Sequence, residues 1–185
     1  MSQFSRTDAI EMLTQHQLSL LSASEKLSHL LDWWTIDEAD PYYNHLPPSL
    51  KLELSQTDGP NNPEDGIYIP LLSIGIKNSY YGVSNEFLAM ELNKFLNLEN
   101  VEIMGSPEQL LKCPCCEYFT MKHSAEYEVC QLCNWEDDGR RELDHYSSVN
   151  HCTLSEARSK FNSNHPPGRI IKYQKETTKE AGGDE

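Results

Sequence analysis

Two pairs of cysteines constrain this chain more than any other feature. Cys113 and Cys116 form one CxxC motif, Cys130 and Cys133 form a second, and thirteen residues separate the two motifs. Two residues between paired cysteines let a tight turn direct both sulfurs at one ion, and zinc takes four such ligands in a tetrahedron. A hairpin over residues 118–127 would bring the second turn beside the first. The spacing therefore predicts a zinc-ribbon-like module that holds one structural Zn²⁺.

The alternatives for these cysteines are ordinary buried thiols or a redox dithiol. A redox CxxC motif usually occurs once, so two motifs favour a metal site. Four thiolates leave no open coordination position on zinc, and the predicted ion is therefore structural rather than catalytic. Cys115 lies inside the first turn and Cys152 stands alone beside His151, and both are predicted to be non-ligands.

The residue after each motif bears on the geometry of the two turns. This position usually adopts the left-handed backbone region, which glycine enters most easily. Glu117 follows the first motif and Asn134 the second. Because asparagine tolerates this region better than glutamate does, a distortion of the first turn is expected.

Composition and charge narrow the class of protein. The 185 residues are 38% hydrophobic and 24% charged, as is typical of a soluble globular protein. The formal net charge is −14, of which residues 1–104 carry −10 and residues 105–185 carry −4. Such a protein is repelled by nucleic acids and anionic membranes and attracted to basic protein surfaces. With no apolar run of membrane-spanning length and no signal peptide, the chain is predicted to be cytoplasmic and not bound to membranes.

The pattern along the chain predicts an α+β protein in three parts. Residues 1–104 are predicted to be mainly helical, residues 105–174 to form the cysteine-rich zinc-binding domain with one following helix, and residues 175–185 to be a disordered tail. Capping boxes predict two helix starts, because a serine or threonine precedes a glutamate by three residues at Ser22 and at Thr153.

Other signals place the remaining elements of residues 1–104. Thr7 is expected to cap the first helix, Pro70 to lie in the first turn of another, and Ser84 to cap the helix after that. Residues 49–55 fit a strand and a helix equally well, because their leucines alternate while their polar residues suit a helix. Residues 101–104 are predicted to form a short strand.

A run of acidic residues directly follows the last cysteine. Trp135 is followed by Glu136, Asp137 and Asp138. One interpretation is a solvated turn in which Trp135 packs against the zinc ribbon. The other is a contact surface for a partner, or a site that pairs with arginine. These three acids are the candidate partner-binding residues.

The chain resembles the bacterial cysteine-rich CPCC domain proteins. The resemblance rests on CPCC at 113–116, YEVC at 127–130, CNWEDD at 133–138 and SEAR at 155–158, and it extends to the preceding segment 81–88. Glu117 departs from the glycine that the family usually has there. The resemblance implies a small cytoplasmic immunity protein of a polymorphic toxin system, which neutralises a cognate toxin.

Three functions follow from these observations. The first is an immunity protein whose acidic surface covers a basic toxin effector domain. The alternative is a zinc-ribbon nucleic-acid-binding or regulatory protein, which Arg140, Arg141 and the basic residues of 158–179 favour, whereas the net charge disfavours nucleic acid as a partner. No nucleophile or general base can be identified from the pattern, so the chain is not expected to be an enzyme.

Overall fold

The computed structural model describes residues 2–165 and 170–175 of the chain. Apart from Lys175, the predicted disordered tail over 175–185 lies outside the described residues. The predicted α+β class is confirmed, with a mainly helical N-terminal region and a C-terminal module of short antiparallel strand pairs and a final helix. The elements in chain order are β1 (Ser2–Ser5), α1 (Arg6–Leu20), α2 (Ala23–Trp33), α3 (Pro48–Gln56), α4 (Ile69–Ser79), α5 (Asn85–Leu96), β2 (Val101–Met104), β3 (Leu111–Lys112), β4 (Phe119–Met121), β5 (Tyr146–Ser147), β6 (Cys152–Thr153) and α6 (Leu154–Asn164).

The chain divides into two compact units. Unit 1 comprises Met1–Tyr81 and Ala89–Gly105, and unit 2 comprises Gly82–Leu88 and Ser106–Glu185. The division passes through α5. Unit 2 therefore includes a segment that the sequence analysis assigned to residues 1–104.

The helix starts show how far local chemistry fixes the fold. Both capping boxes form as predicted, at Ser22 before α2 and at Thr153 before α6. The Oγ of Ser84 accepts a hydrogen bond from the amide of Phe87 at 3.0 Å, as expected for the cap of α5. The prediction for Thr7 is wrong, because the cap of α1 is Ser5, whose Oγ accepts from the amide of Asp8 at 3.0 Å.

The ambiguous segment 49–55 is helical. Pro48 lies in the first turn of α3, where the amide that proline lacks has no helical partner. Leu50 is fully buried, and it joins a core cluster of unit 1 between α2, α3 and α4. The Nε1 of Trp34 in this core donates to the carbonyl of Thr57 at 2.7 Å, so burying the indole leaves no unpaired donor.

A parallel strand pair completes unit 1. The predicted strand at residues 101–104 is β2, and its partner is β1, with Phe4 paired to Ile103. Val101 and Ile103 are buried while the alternate residues of β2 are exposed. Residues 2–5 were not predicted to be a strand. Within the described residues, no helix is long and apolar enough to cross a bilayer.

The strands of unit 2 are only two or three residues long. Strand β3 pairs with β4 and β5 pairs with β6, both antiparallel. The segment 170–175 adds to the first pair, because the amide of Phe119 donates to the carbonyl of Gln174 at 2.9 Å. The amide of Ser84 donates to the carbonyl of Lys172 at 2.8 Å on the same segment. Pairing of such short strands contributes little stability by itself.

Candidate metal centre

The first CxxC motif forms the turn between β3 and β4. The amide of Cys113 donates to the carbonyl of Tyr118 at 2.9 Å, and the amide of Glu117 donates back to the carbonyl of Cys113 at 3.0 Å. The amide of Cys115 points at the sulfur of Cys113, 3.4 Å away. This turn holds the two outer cysteines of the motif on one side.

The second motif repeats these contacts one by one. The amide of Cys130 donates to the carbonyl of Trp135 at 2.8 Å, the amide of Asn134 donates to the carbonyl of Cys130 at 2.9 Å, and the amide of Leu132 points at the sulfur of Cys130 at 3.4 Å. An isolated bridge between Val129 and Glu136 closes the turn. Backbone pairing therefore flanks each turn. The predicted hairpin over 118–127 is wrong, because only 119–121 of it forms a strand and that strand pairs with β3.

The residue after each motif adopts the left-handed region. The φ angle is 66° at Glu117 and 60° at Asn134. The expected distortion of the first turn is absent, since both turns share one hydrogen-bond pattern. The side chain of Glu117 forms ion pairs with Arg158 at 3.7 Å and Lys175 at 3.5 Å, and these contacts offset part of the cost of a left-handed glutamate.

The two turns bring the four predicted sulfurs together. The Sγ atoms of Cys113, Cys116, Cys130 and Cys133 all lie within 4.8 Å of one another. The distance is 3.6 Å between Cys113 and Cys133 and 3.8 Å between Cys116 and Cys130. A tetrahedron with Zn–S bonds of about 2.3 Å has S–S edges of about 3.8 Å. The cluster is therefore compatible with one metal ion, and all four predicted ligands lie in it.

The charge of the cluster also points to a cation. Hydrogen bonding to Cys113 together with burial raises the pKa of the Cys116 thiol, because a buried group beside other thiolates resists ionisation. Four thiolates in so small a volume need a positive charge to neutralise them. Metal binding must therefore release protons, and the affinity for metal falls in acid.

Cys115 and Cys152 are not part of the four-sulfur cluster found among the described residues. Cys115 is buried at 5% exposure. Cys152 is partly exposed and lies in β6. Cys115, Cys133 and Cys152 all line a cavity of about 290 Å³ that Trp135 and α6 also border.

Asp137 forms the centre of a buried polar network in the loop after the second motif. It is 1% exposed, and its two carboxylate oxygens accept from Nη1 and Nη2 of Arg141 at 2.6 and 2.9 Å. The amides of Ala125 and Gly139 also donate to it, at 2.9 and 3.2 Å. Burial raises the pKa of Asp137, but these hydrogen bonds outweigh it and hold the pKa below its usual range.

The acidic run is therefore not a uniform surface. The carboxylate of Asp137 is enclosed and paired with Arg141, so for this residue the arginine-pairing form of the second interpretation fits better than a contact surface does. Glu136 and Asp138 keep partly exposed side chains. Asp138 accepts from Ser147 Oγ at 2.7 Å and Glu136 donates its amide to Asn150 at 2.9 Å, so both stabilise the loop. Trp135 is buried at 4% exposure.

Helix α6 is tied to the first turn by an arginine that the sequence analysis did not single out. Nε and Nη2 of Arg158 donate to the carbonyl of Pro114 at 3.0 and 2.8 Å. Phe161 on the same helix meets the ring of Tyr118 edge-on at 6.3 Å between centroids. The SEAR motif contains Arg158, but spacing alone does not reveal its carbonyl partner.

Residues 111–167 match the family model of the cysteine-rich CPCC proteins. The match includes all four clustered cysteines and α6, and it ends before the segment 170–175 that borders β4. No curated protein and no solved structure matches the chain. The chain thus carries a cysteine-rich CPCC domain, and the segment 81–88 lies outside the matched residues.

Proposed function

We propose that this protein is a zinc-stabilised immunity protein that neutralises a cognate bacterial toxin by covering the toxin's basic active-site surface. The observation that carries the proposal is the uneven charge, with fifteen acidic and five basic side chains in residues 1–104. Toxins that act on nucleic acids or nucleotides need basic active-site surfaces. An acidic partner is drawn to such a surface quickly and can block it.

The proposed zinc ion supports binding rather than catalysis. Cys113, Cys116, Cys130 and Cys133 would fill all four positions of Zn²⁺, so neither water nor substrate can reach it as a ligand. When bound, the ion supplies cross-links between the two turns. This role suits the short strands of unit 2, whose pairing alone contributes little to holding the two turns together.

The contacts within unit 1 leave its acidic character intact. Arg6 is buried at 7% exposure, and its Nη2 donates to the carbonyl of Tyr80. Lys77 pairs with Glu11 at 2.5 Å, and Lys94 pairs with Glu91 at 2.9 Å. Few cations of this unit are therefore available to oppose its many exposed carboxylates, and the field at its surface favours a basic partner.

The alternative, nucleic-acid binding, loses support from the contacts of four of its basic residues. Arg141 is committed to Asp137, and Arg158 is committed to the carbonyl of Pro114. Lys175 lies over the ring of Tyr118 at 5.3 Å, and burial lowers the pKa of Lys172. Phosphate binding needs cations that face solvent as a patch, and these side chains serve the fold of unit 2 instead.

Co-expression with the product of the neighbouring gene tests the proposal. The full-length protein should restore growth of cells that express that product and should copurify with it in a stable complex. The association rate should fall steeply as salt rises, because steering by exposed charges is screened. Absence of both complex and protection would refute the proposal.

Matched charge variants test which unit's acidic residues speed association with the toxin. One variant neutralises exposed acids of unit 1, namely Asp32, Glu38, Asp58 and Glu64, as Asn or Gln. Its control neutralises exposed acids of unit 2, namely Glu126 and Asp144, together with the partly exposed Glu136 and Asp138. The unit 1 variant should lose about tenfold or more in association rate at low salt and the control much less. A mobility-shift assay with RNA and DNA should show no binding by either protein.

A further inference from the structure

We propose that a cavity beside β4 in unit 2 binds a small, neutral, planar aromatic molecule that carries a carbonyl oxygen. The cavity has a volume of about 730 Å³, and all the residues that line it belong to unit 2. It is separate from the cluster of four cysteines and from the toxin contact proposed for unit 1. The site would give the protein a ligand-binding function besides the proposed binding of a toxin.

The cavity lies where residues 170–175 run between the start of α5 and β4. The amide of Ser84 donates to the carbonyl of Lys172 at 2.8 Å, and the amide of Phe119 donates to the carbonyl of Gln174 at 2.9 Å. These backbone bonds fix the three walls relative to one another. The volume falls within the range of about 300 to 1,000 Å³ that is usual for small-molecule sites.

Aromatic and aliphatic side chains form much of the wall, namely Tyr118, Phe119, Ile170, Ile171 and Tyr173. Two of the rings already have partners, because Tyr118 meets Phe161 edge-on and Nζ of Lys172 lies 5.5 Å from the centroid of Tyr173. The ring of Phe119 is half-buried, and within the described part of the chain it contacts no other ring or cation. A planar aromatic ligand can therefore stack on Phe119.

Two tyrosine hydroxyls in the wall have unused hydrogen-bonding capacity. Tyr118 is 7% exposed and Tyr173 is 4% exposed. Within residues 2–165 and 170–175, neither hydroxyl forms a hydrogen bond. Nε1 of Trp135 is the one fully enclosed side-chain donor in those ranges that lacks a partner, so both hydroxyls keep some open space beside them. Buried polar groups normally have partners, and a ligand in the cavity that both rings border can supply an acceptor.

The other polar groups of the wall favour a neutral ligand. Lys175 and Glu86 carry opposite charges, and Nζ of Lys175 also pairs with Glu117 at 3.5 Å. The Oγ of Ser84 donates to the carbonyl of Ile171 and is already used. The phenol groups are protonated donors at neutral pH, and a carbonyl oxygen is the neutral acceptor that matches them.

The experiment uses three probes with the zinc-loaded, isotope-labelled full-length protein. Indole-3-carboxamide has a planar fused ring and a carbonyl oxygen. Indole keeps the ring and lacks the carbonyl, whereas cyclohexanecarboxamide keeps the carboxamide and lacks the planar ring. Each probe is titrated separately, and the backbone amide signals are followed by NMR spectroscopy.

Indole-3-carboxamide should give saturable shifts confined to residues 84–86, 118–119 and 170–175, with a Kd of about 1 mM or tighter for a molecule of this size. Both control probes should bind at least about threefold more weakly, because each lacks one of the two recognised features. Phe119→Leu should weaken binding of the two planar probes and leave cyclohexanecarboxamide unchanged.

A double variant, Tyr118→Phe with Tyr173→Phe, tests the hydroxyls directly. It should weaken indole-3-carboxamide by about threefold to tenfold and leave indole unchanged, since only the carbonyl loses its donors. The control is Tyr68→Phe, which removes a hydroxyl that donates to Glu53 in unit 1 and should not alter binding.

The inference is overturned if indole-3-carboxamide gives no saturable shifts, if the shifts spread over the whole surface, or if all three probes bind equally. An equal loss of indole and indole-3-carboxamide by the double variant also overturns it. The wild-type comparison decides the question even if a variant folds poorly. None of these outcomes depends on the toxin, so failure of the proposed function is a separate result.

Discussion

Replacing Asp137 by alanine should destabilise unit 2 more than any other single change in its acidic loop. The substitution removes an acceptor that is 1% exposed and takes hydrogen bonds from Arg141, Ala125 and Gly139. A hydrogen bond to a charged group contributes about 1.5 to 3 kcal/mol when it is well shielded.

Adding these contributions for all the hydrogen bonds to Asp137 would overestimate the lost stability, because the donor residues are partly exposed to water. The side chain of Arg141 is 46% exposed, so water regains part of its hydrogen bonding in the variant. Ala125 is exposed and Gly139 is partly exposed, so water can replace part of the lost acceptor at these residues. We expect the free energy of unfolding to fall by about 2 to 3 kcal/mol, below the value for a fully buried ion pair.

Urea unfolding of the zinc-loaded protein, followed by zinc release, measures this loss because the metal reports on unit 2 alone. The control is Asp144→Ala, which removes an exposed carboxylate near the same loop and should change the unfolding free energy by about 0.5 kcal/mol or less. Equal effects of the two substitutions would refute the argument.

The pH dependence gives a second check on the same carboxylate. Its pKa is lowered in the fold, so its stabilising contribution is present above the unfolded pKa of about 3.9 and is lost as pH falls through the lower folded value. The advantage of the wild type over Asp137→Asn should therefore stay constant between about pH 8 and pH 5. A decline within that window would show that another group controls the difference.

Three further predictions concern other parts of the chain. Removal of zinc by a chelator should unfold unit 2 while most of the helical circular dichroism of unit 1 remains; a complete loss of helix would contradict it. Glu117→Gly should raise the unfolding free energy by up to about 1 kcal/mol, because it relieves a φ of 66°, and Asn134→Gly should raise it less in the same urea assay. Leu50→Ala should lower the unfolding free energy of unit 1 by about 3 kcal/mol, because Leu50 is fully buried in the core, whereas the exposed Leu52→Ala should cost much less by thermal unfolding.

The parts of the fold that could be predicted from the sequence are those set by neighbouring residues. The capping boxes at Ser22 and Thr153 satisfy amides within one turn, and the two CxxC motifs fix their own turns, so each is visible in a short stretch of chain. Residues 49–55 could not be assigned because the alternation of their leucines fits a strand, whereas their polar residues fit a helix. The burial of Leu50, a long-range property, decides for the helix.

The parts that could not be predicted depend on contacts between distant residues. Strand β1 has one apolar residue, Phe4, and its partner lies 99 positions away in β2. The same applies to Arg158, whose acceptor is the carbonyl of Pro114. Neither pairing leaves a periodic signal in the sequence, because a backbone acceptor can belong to any residue type.

The charges of the two units serve different purposes, and this difference bears on where a partner would bind. In unit 2, the most prominent acid of the run, Asp137, is enclosed by Arg141, and the exposed Glu117 is paired with Arg158 and Lys175. The pair of Asp137 and Arg141 holds the loop after the second motif in place, so removing it costs stability before it costs recognition. Unit 1 carries most of the net charge, and its lysines at 77 and 94 already pair with acids of the same unit. If the proposed function is correct, recognition therefore depends on unit 1 while unit 2 supplies a metal-dependent scaffold, and neutralising exposed acids of unit 1 should weaken toxin binding without changing zinc content.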